Sequence, residues 1–228
     1  MRQIAPDVFH LPVAPRNGVN TYVVGDVLVD TGIRTSSKAI REALGGRELK
    51  AIALTHAHGD HGGSARALAK ELGLPVWVGA ADRAAAETGK VVAKSPYDKP
   101  GLSLIAGAMG NMPSVQVARD LREGDELTAG FTVLDTPGHS PGHVSFWRES
   151  DRVLICGDVF FNLHPLTTVP GLREPPGPFT VDPALNRRSE RGVAGLEPAV
   201  AGFGHGPVIE GDAAAQLARF VAMLPQEG

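Results

Sequence analysis

The sequence has 228 residues, 43% of them hydrophobic, and its formal net charge is −3. This length and apolar content predict one substantial core, so we expect a single domain over residues 1–228. Charged side chains of both signs are spread through the chain, which excludes the basic field of a nucleic-acid-binding protein. We therefore expect a small-molecule substrate and no nucleic-acid partner, while a homodimer is compatible with the sequence.

The single cysteine and the apolar runs bear on the cellular compartment. Cys156 is the only cysteine, which excludes an intrachain disulfide and favours a reducing environment. The opening residues, MRQIAPDVFHLPV, lack the long apolar stretch of a signal peptide, and no other run approaches the length of a membrane span. We therefore expect a cytoplasmic protein that does not enter a membrane.

Short apolar runs bounded by glycine, proline and aspartate predict strands along the chain. In chain order they occupy residues 7–13, 20–32, 51–54, 75–79, 131–136, 143–147 and 152–158. Tight turns at residues 25–27 and 149–151 predict two hairpins. Helices are predicted at residues 36–46, 64–73 and 212–224, each with a polar residue at its start and glycine or proline at its end. Strands and helices alternate along the chain, which indicates an α/β fold.

Two stretches rich in glycine and proline, residues 90–118 and 159–180, are too long for ordinary connections. Long loops of this kind often line functional sites. Within the first stretch, Tyr97, Met109 and Met112 are candidates for an adaptable apolar pocket, and core packing or a dimer contact explains them equally well.

The sequence LTHAHGDHGG, residues 54–63, places three of the eight histidines and an aspartate within six residues. Extended chain turns His56, His58 and Asp60 to the same side, because side chains alternate with a period of two. His61 is out of phase and joins them only if the chain bends, which the neighbouring glycines permit. Imidazole and carboxylate donors suit zinc, and iron or manganese accept the same ligands. The pattern predicts a metal site.

Three further candidate ligands each follow an apolar run, where a strand is expected to end. They are His139 in TPGHSPGH, Asp158 in LICGDVFF and His205 in AGFGHGP. With the first cluster they make five histidines and two aspartates, a set that suits two divalent ions and a bridging hydroxide. The net positive charge of such a centre would attract an anionic or strongly polarised substrate.

An H-x-H-x-D-H motif followed by a histidine, an aspartate and a final histidine resembles the metallo-β-lactamase fold superfamily. The similarity spans nearly the whole chain, from LVDTG at residues 28–32 to GFGHGP at residues 202–207. It implies an αββα four-layer sandwich, with two mixed sheets between outer helices and the metals at one edge. It also implies one metal held by His56, His58 and His139, a second held by Asp60, His61 and His205, and Asp158 bridging them.

The resemblance implies a metal-dependent hydrolase with two divalent metal ions, zinc before iron or manganese. Such metals lower the pKa of a bridging water, and Asp60 would orient the hydroxide and accept its proton. The aspartate in CGD is absent from true β-lactamases, so the chain is closer to glyoxalase II, thioesterases and lactonases. After Asp158 the chain reads VFFNLHPLT, without the glycine, cysteine and arginine pattern of glyoxalase II. This difference favours a lactone or another thioester over a glutathione thioester.

Several other residues are candidates for supporting roles. Phe160, Phe161 and His164 occupy the stretch where acyl-homoserine lactonases often carry a tyrosine, and Phe160 and His164 are the candidate substrate contacts. We expect His143 to hydrogen-bond near a ligand. Asp30 in LVDTG either supports a ligand or caps a turn. The run NRRSER, residues 186–191, either binds a substrate anion or forms a solvated helix face.

Two other enzyme classes share the motif and stay open at this point. One resembles persulfide dioxygenase, which uses a single iron in place of two metals. The other is a nuclease or phosphodiesterase of the same fold, although such enzymes usually add an RNA-grasping arm and basic surfaces. A non-catalytic binding protein would be expected to have lost one or more ligands, and this sequence retains all of them.

Overall fold

Two mixed β-sheets lie at the centre of the structure, a computed structural model that describes residues 1–91 and 110–225. In the first sheet, seven strands within these ranges lie side by side in chain order, β1 to β7. Neighbouring strands are antiparallel through the fourth and parallel from the fourth onward. The strands are β1 (Arg2–Ala5), β2 (Val8–Pro12), β3 (Asn20–Val24), β4 (Val27–Val29), β5 (Ala51–Leu54), β6 (Val76–Gly79) and β7 (Val117–Leu121).

The second sheet contains six strands from the described residues, in the order β15-β14-β11-β10-β9-β8. Only the pair β11 and β14 is parallel within it. A separate antiparallel pair, β12 and β13, lies outside both sheets. The strands are β8 (Glu126–Thr128), β9 (Phe131–Asp135), β10 (Val144–Arg148), β11 (Val153–Ile155), β12 (Phe161–Leu163), β13 (Pro170–Arg173), β14 (Val200–Gly202) and β15 (Ile209–Glu210).

Five α-helices are assigned in the described residues, and they cover the outer faces of the two sheets. They are α1 (Ser37–Leu44), α2 (Ala65–Leu72), α3 (Arg83–Thr88), α4 (Pro183–Ala194) and α5 (Ala213–Ala222). Side chains of α1, α2 and α3 pack on the first sheet in one apolar cluster. Helices α4 and α5 pack on the second sheet in another, and a third cluster joins the inner faces of the two sheets. Helix, sheet, sheet and helix therefore form the four layers of the αββα sandwich implied by the sequence.

The strand runs and the three helices expected from the sequence are present, with ends shifted by a few residues. The run at residues 20–32 divides into β3 and β4 at a turn where Gly25 has a φ of +54°, a conformation that glycine adopts at low cost. The second expected hairpin joins β10 to β11. The helix ends are also as expected, since Gly45 after α1 and Gly73 after α2 are both left-handed.

Other elements were not expected from the sequence. The stretch 159–180, predicted to be a long loop, contains β12, β13 and a short 3-10 helix. Asp182 precedes helix α4 and caps it, since its side chain accepts a hydrogen bond from the nitrogen of Leu185, and Pro183 is the first residue of the helix. These residues are typical of helix starts. The helix was not expected because the polar run that follows and an interior glycine obscure the apolar periodicity in the sequence. None of the helices in the described ranges has the length and hydropathy needed to cross a membrane.

Candidate metal centre

Four strand ends from the two sheets converge on one edge of the sandwich. His56 follows β5 in the first sheet, whereas His139, Asp158 and His205 follow β9, β11 and β14 in the second. After Leu54 the chain leaves the sheet and turns at His58, whose carbonyl accepts hydrogen bonds from the nitrogens of His61 at 3.1 Å and Gly62 at 2.7 Å. This turn brings His61 to the same side as the earlier histidines of the loop.

The seven candidate ligands meet in overlapping groups whose ligand atoms lie within 4.8 Å of one another. One group is His56, His58 and His139, and the nitrogens His58 Nδ1 and His139 Nε2 are 3.0 Å apart. Another group is Asp60, His61 and His205, in which His205 Nε2 is 3.3 Å from Asp60 Oδ2. We call these the first triad and the second triad.

Asp158 lies between the two triads. Its Oδ2 is 3.4 Å from His139 Nε2 of the first triad. The same oxygen is 3.3 Å from both His61 Nε2 and His205 Nε2 of the second. One carboxylate oxygen therefore faces histidines of both triads, as a ligand shared between two cations would.

Hydrogen bonds fix which nitrogen each histidine turns toward the centre. The Nδ1 atoms of four rings are occupied by partners outside the cluster, so their Nε2 atoms face inward. The pairs are His56 with Thr55 Oγ1, His61 with Asp30 Oδ2, His139 with Thr180 Oγ1 and His205 with the Gly18 carbonyl oxygen. His58 differs, because its Nδ1 is the nitrogen that faces His139.

Burial and charge divide the cluster into neutral and charged groups. Burial lowers the pKa of His56 and His139 well below the ordinary value. Burial alone would also lower the pKa of His205, but the carboxylates of Asp158 and Asp60 raise it to about 10. Burial would raise the pKa of Asp158, yet His205 and His61 hold it well below its usual range. The buried carboxylates thus attract positive charge to this end of the cluster, and a bound cation can supply it.

Two residues with expected supporting roles contact the cluster through its backbone and rings. Asp30 accepts hydrogen bonds from the nitrogen and Oγ1 of Thr55, both at 2.8 Å, and its Oδ2 lies 2.8 Å from His61 Nδ1. His143 Nε2 accepts a hydrogen bond from the nitrogen of Asp158 at 3.0 Å. Burial lowers the pKa of His143 to about 3, so its ring is neutral and Nε2 is free to accept.

Asp82, which was not expected from the sequence, joins two of the loops that carry candidate ligands. Its buried carboxylate accepts hydrogen bonds from the nitrogen of Ala57 at 3.0 Å, from Ser140 Oγ at 2.6 Å and from the nitrogen of Gly142 at 2.7 Å. Ala57 separates His56 from His58, and Ser140 follows His139. The available signal was its position just after β6, where an aspartate follows an apolar strand as Asp158 does.

An open cavity of about 550 Å³ adjoins the cluster, and Phe161 rather than Phe160 faces it. The ring of Phe161 lies 4.3 Å from that of His205, centroid to centroid. Phe160 is fully buried and packs edge-on against Phe220 at 5.7 Å. Phe160, expected to contact the substrate, therefore points away from the cavity, because extended chain turns alternate side chains to opposite sides.

His164 also has a different position from the one expected. Its Nδ1 accepts hydrogen bonds from the nitrogens of Leu166 and Thr167, both at 3.2 Å, in the turn between β12 and β13. Leu163 and Pro165 line the cavity on either side of it, whereas His164 does not. Its imidazole caps this turn.

The remaining sequence candidates fall partly outside the site. Tyr97 and Met109 lie outside the described residues. Met112 is buried in the core cluster of the first sheet, and Cys156 is buried in that of the second.

The NRRSER run lies on helix α4. Asn186 is buried there, and Arg187 pairs with Glu174 at 2.7 Å. The run thus belongs to a packed helix.

Comparison with known proteins reveals similarity over most of the chain. The sequence model of the Metallo-beta-lactamase superfamily matches residues 14–205. The probable metallo-hydrolase YybB of Bacillus subtilis (strain 168) is 30% identical over 218 residues, which cover 92% of this chain and 92% of that protein.

Two further proteins are similar in sequence or in structure. The hydroxyacylglutathione hydrolase of Methylococcus capsulatus is 35% identical over 129 residues, covering 54% of this chain and 40% of that protein. The crystal structure of TTHA1623 in a di-iron-bound form is 30% identical, with a TM-score of 0.67, and covers 92% of this chain and 97% of that one.

Proposed function

Because this chain belongs to the metallo-β-lactamase superfamily of metal-dependent hydrolases, we propose that it binds two divalent metal ions. We further propose that it hydrolyses an ester-type bond of a small molecule, with thioesters and lactones as the first candidates. The observation that carries the proposal is the position of Asp158 Oδ2, at 3.3 to 3.4 Å from histidine nitrogens of both triads.

The cluster fits metal ions on two grounds. Two buried polar atoms within it, His56 Nε2 and Asp158 Oδ1, have no hydrogen-bond partner, and buried polar atoms ordinarily find one. Imidazole nitrogens of different rings also face each other at 3.0 Å and 3.4 Å, an approach that a shared cation would explain. The donor set suits zinc first, with iron or manganese as alternatives.

The two triads and Asp158 have distinct proposed roles. The first triad would hold one ion, the second triad would hold the other, and Asp158 would contact both. Bound ions of this kind lower the pKa of a water molecule and polarise the attacked carbonyl oxygen.

Asp60 is the residue that we assign to orient the attacking water and accept its proton. It lines the cavity, and its side chain is 37% exposed. Burial alone would raise its pKa, but His61 and His205 hold the pKa below its ordinary value. The carboxylate is therefore charged and ready to accept a hydrogen bond from water.

Three observations support a small ester-type substrate. The cavity volume of about 550 Å³ lies in the range of small-molecule sites. The relative in Methylococcus capsulatus is named a hydroxyacylglutathione hydrolase, which is a thioester hydrolase. The chain departs from the glyoxalase II pattern after Asp158, so a thioester without glutathione, or a lactone, is placed ahead of a glutathione thioester. We also propose that the enzyme acts in the cytoplasm as a single domain, without a nucleic-acid partner.

Metal content per chain is the first test of this proposal. We expect elemental analysis of protein purified without added metal or chelator to give about two equivalents of zinc, iron or manganese. Hydrolysis of lactones, thioesters and phosphodiesters should then be compared for the loaded protein and for protein stripped by a chelator. Thioester or lactone turnover that disappears on stripping and returns with added metal supports the proposal.

Two results would contradict the proposal. A single iron per chain with oxygen consumption in the presence of a persulfide would indicate dioxygenase chemistry. Metal-dependent cleavage of phosphodiesters alone would indicate the nuclease branch of the fold.

A further inference from the structure

The cavity beside the candidate metal centre has mostly apolar walls. Away from the candidate ligands, Val19, Ile33, Leu163, Phe161 and Phe179 contribute apolar side chains to its lining. Such a surface favours the hydrocarbon part of a substrate, because removing apolar area from water is favourable. Apolar walls do not by themselves select among esters of similar size.

Arg34 supplies a positive charge on this wall. Among the residues that the structure describes, it is the one arginine or lysine that lines the cavity. Its Nη2 donates to the carbonyl oxygen of Asn111 at 3.4 Å, which is near the limit for a hydrogen bond. No ion pair of Arg34 occurs within the described ranges. Within the described part of the chain, most donor positions of this guanidinium are thus unoccupied.

The backbone of Arg34 is fixed against the loop that carries the candidate ligands. The nitrogen and Oγ1 of Thr31 donate to the carbonyl oxygen of His61 at 2.6 and 2.7 Å. Ser64 Oγ donates to the carbonyl oxygen of Ile33 at 2.6 Å. A Cβ atom at Gly63 would lie only 2.7 Å from the nitrogen of Arg34, so the two loops are in direct backbone contact. The guanidinium therefore extends from a point whose position relative to His61 is set by packing.

We propose that Arg34 is an anion-binding residue of this cavity and selects esters or thioesters that carry a carboxylate on an apolar chain. The inference rests on the proposed function, because it names the substrate class of that same site. A guanidinium binds a carboxylate through two parallel hydrogen bonds. Arg34 is itself exposed, so the carboxylate reaches it at the solvent boundary while the apolar lining contacts the hydrocarbon part of the substrate.

Kinetics with a matched pair of esters test this specificity. Mono-4-nitrophenyl adipate carries a free carboxylate, and its carboxamide analogue has the same shape without the charge. We expect Arg34→Ala to raise KM for the acid about tenfold, the scale of a lost charge-assisted hydrogen bond, with little change in kcat. KM for the carboxamide should rise much less than KM for the acid, because a neutral amide forms a weaker hydrogen bond with a guanidinium, and Arg34→Lys should recover part of the loss for the acid.

Equilibrium binding separates the anion site from the reaction. Adipic acid monoanilide and its carboxamide analogue have an anilide in place of the activated ester, so titration calorimetry with metal-loaded protein measures their affinity without turnover. We expect wild-type protein to prefer the acid, Arg34→Ala to lose the preference, and Arg66→Ala, at an exposed position on α2, to keep it. If Arg34→Ala loses the preference but the wild-type protein hydrolyses no ester, the anion site is retained and the proposed reaction is rejected.

Two outcomes would overturn the assignment of Arg34. Equal affinity of the wild-type protein for acid and carboxamide would remove the anion site. Persistence of the preference in Arg34→Ala would show that a group other than this guanidinium binds the carboxylate.

Discussion

Asp82 accepts a hydrogen bond from the backbone nitrogen of Ala57 at 3.0 Å, although these residues follow different strands of the first sheet. The same carboxylate binds Ser140 and Gly142 in the loop after β9 of the second sheet. It therefore fixes the distance between the two loops that carry the first triad.

Replacing Asp82 by Asn should weaken metal binding at the first triad. The amide keeps one acceptor oxygen, and its NH₂ group would face backbone and hydroxyl donors. Loss of a residue that orients ligands typically costs about tenfold to hundredfold in metal affinity. Chelator competition should show one ion released early from Asp82→Asn, while the exposed control Glu87→Gln retains both. If Asp82→Asn retained both ions as strongly as the wild-type protein does, this role would be contradicted.

Replacing Asp158 by Asn should remove the charge shared by the two triads. We expect fewer than two metal equivalents per chain and a fall in kcat of roughly a hundredfold or more, because both ions of the proposed centre would lose an anionic ligand. Elemental analysis and turnover of the best substrate measure the two effects. Asp7→Asn is a suitable control, since Asp7 is exposed and has a φ of +56° that asparagine tolerates. Two bound ions and full turnover in Asp158→Asn would remove Asp158 from the centre.

Glu190 should make the stability of the protein depend on pH. Burial raises its pKa to about 8 from the ordinary 4.5, and its Oε2 has no hydrogen-bond partner. Between these two pH values the folded protein keeps a proton that the unfolded chain has lost. The free energy of unfolding therefore falls as pH rises through this window, by at most about 1.4 kcal/mol per pH unit from this group.

Glu190→Gln should abolish this contribution. The variant should gain stability relative to wild type as the pH is raised from about 5 to about 8, with no further gain above that range. Urea unfolding at several pH values measures the difference, and Glu48→Gln at an exposed position of the surface provides a control. Parallel pH profiles for Glu190→Gln and wild type would show that the buried carboxyl keeps no proton.

The neighbouring phenylalanines should separate stability from substrate binding. Phe160→Ala opens a space in the core cluster beside α5 and should cost about 3 to 5 kcal/mol of folding free energy. Phe161→Ala removes a ring from the cavity wall and should raise KM severalfold with a smaller loss of stability. Thermal unfolding and steady-state kinetics of both variants check this assignment. An exchange of the two effects would place Phe160 at the cavity.

The candidate ligands could be identified from the sequence because four of them share the H-x-H-x-D-H motif and the other three each occur shortly after an apolar run. His139, Asp158 and His205 needed only the rule that strand ends collect at the edge of a sheet. The α/β class followed from the alternation of strands and helices, whereas the αββα sandwich was implied by the resemblance to the superfamily. This prediction of the fold did not depend on the conformation of the long stretches at residues 90–118 and 159–180.

Other features could not be predicted because they depend on strand order and on the phase of short strands. Asp82 becomes relevant only when β6 lies beside β5 and its turn meets the loop of Gly142. Phe160 and Phe161 exchange roles with a shift of one residue, which the sequence FF leaves undetermined. Arg34 was not expected to line a site, since nothing local shows that its loop packs on Gly63.

Each triad draws its ligands from both sheets, and this arrangement links the centre to the folding of the whole chain. In the first triad, His56 and His58 follow a strand of the first sheet and His139 follows a strand of the second. In the second triad, Asp60 and His61 follow the first sheet and His205 follows the second. The complete cluster can form only after the two halves of the sandwich have docked. A bound ion then acts as a cross-link between distant parts of the chain and resists their separation. Metal loading should therefore slow global unfolding more than it slows the fraying of either outer helix layer.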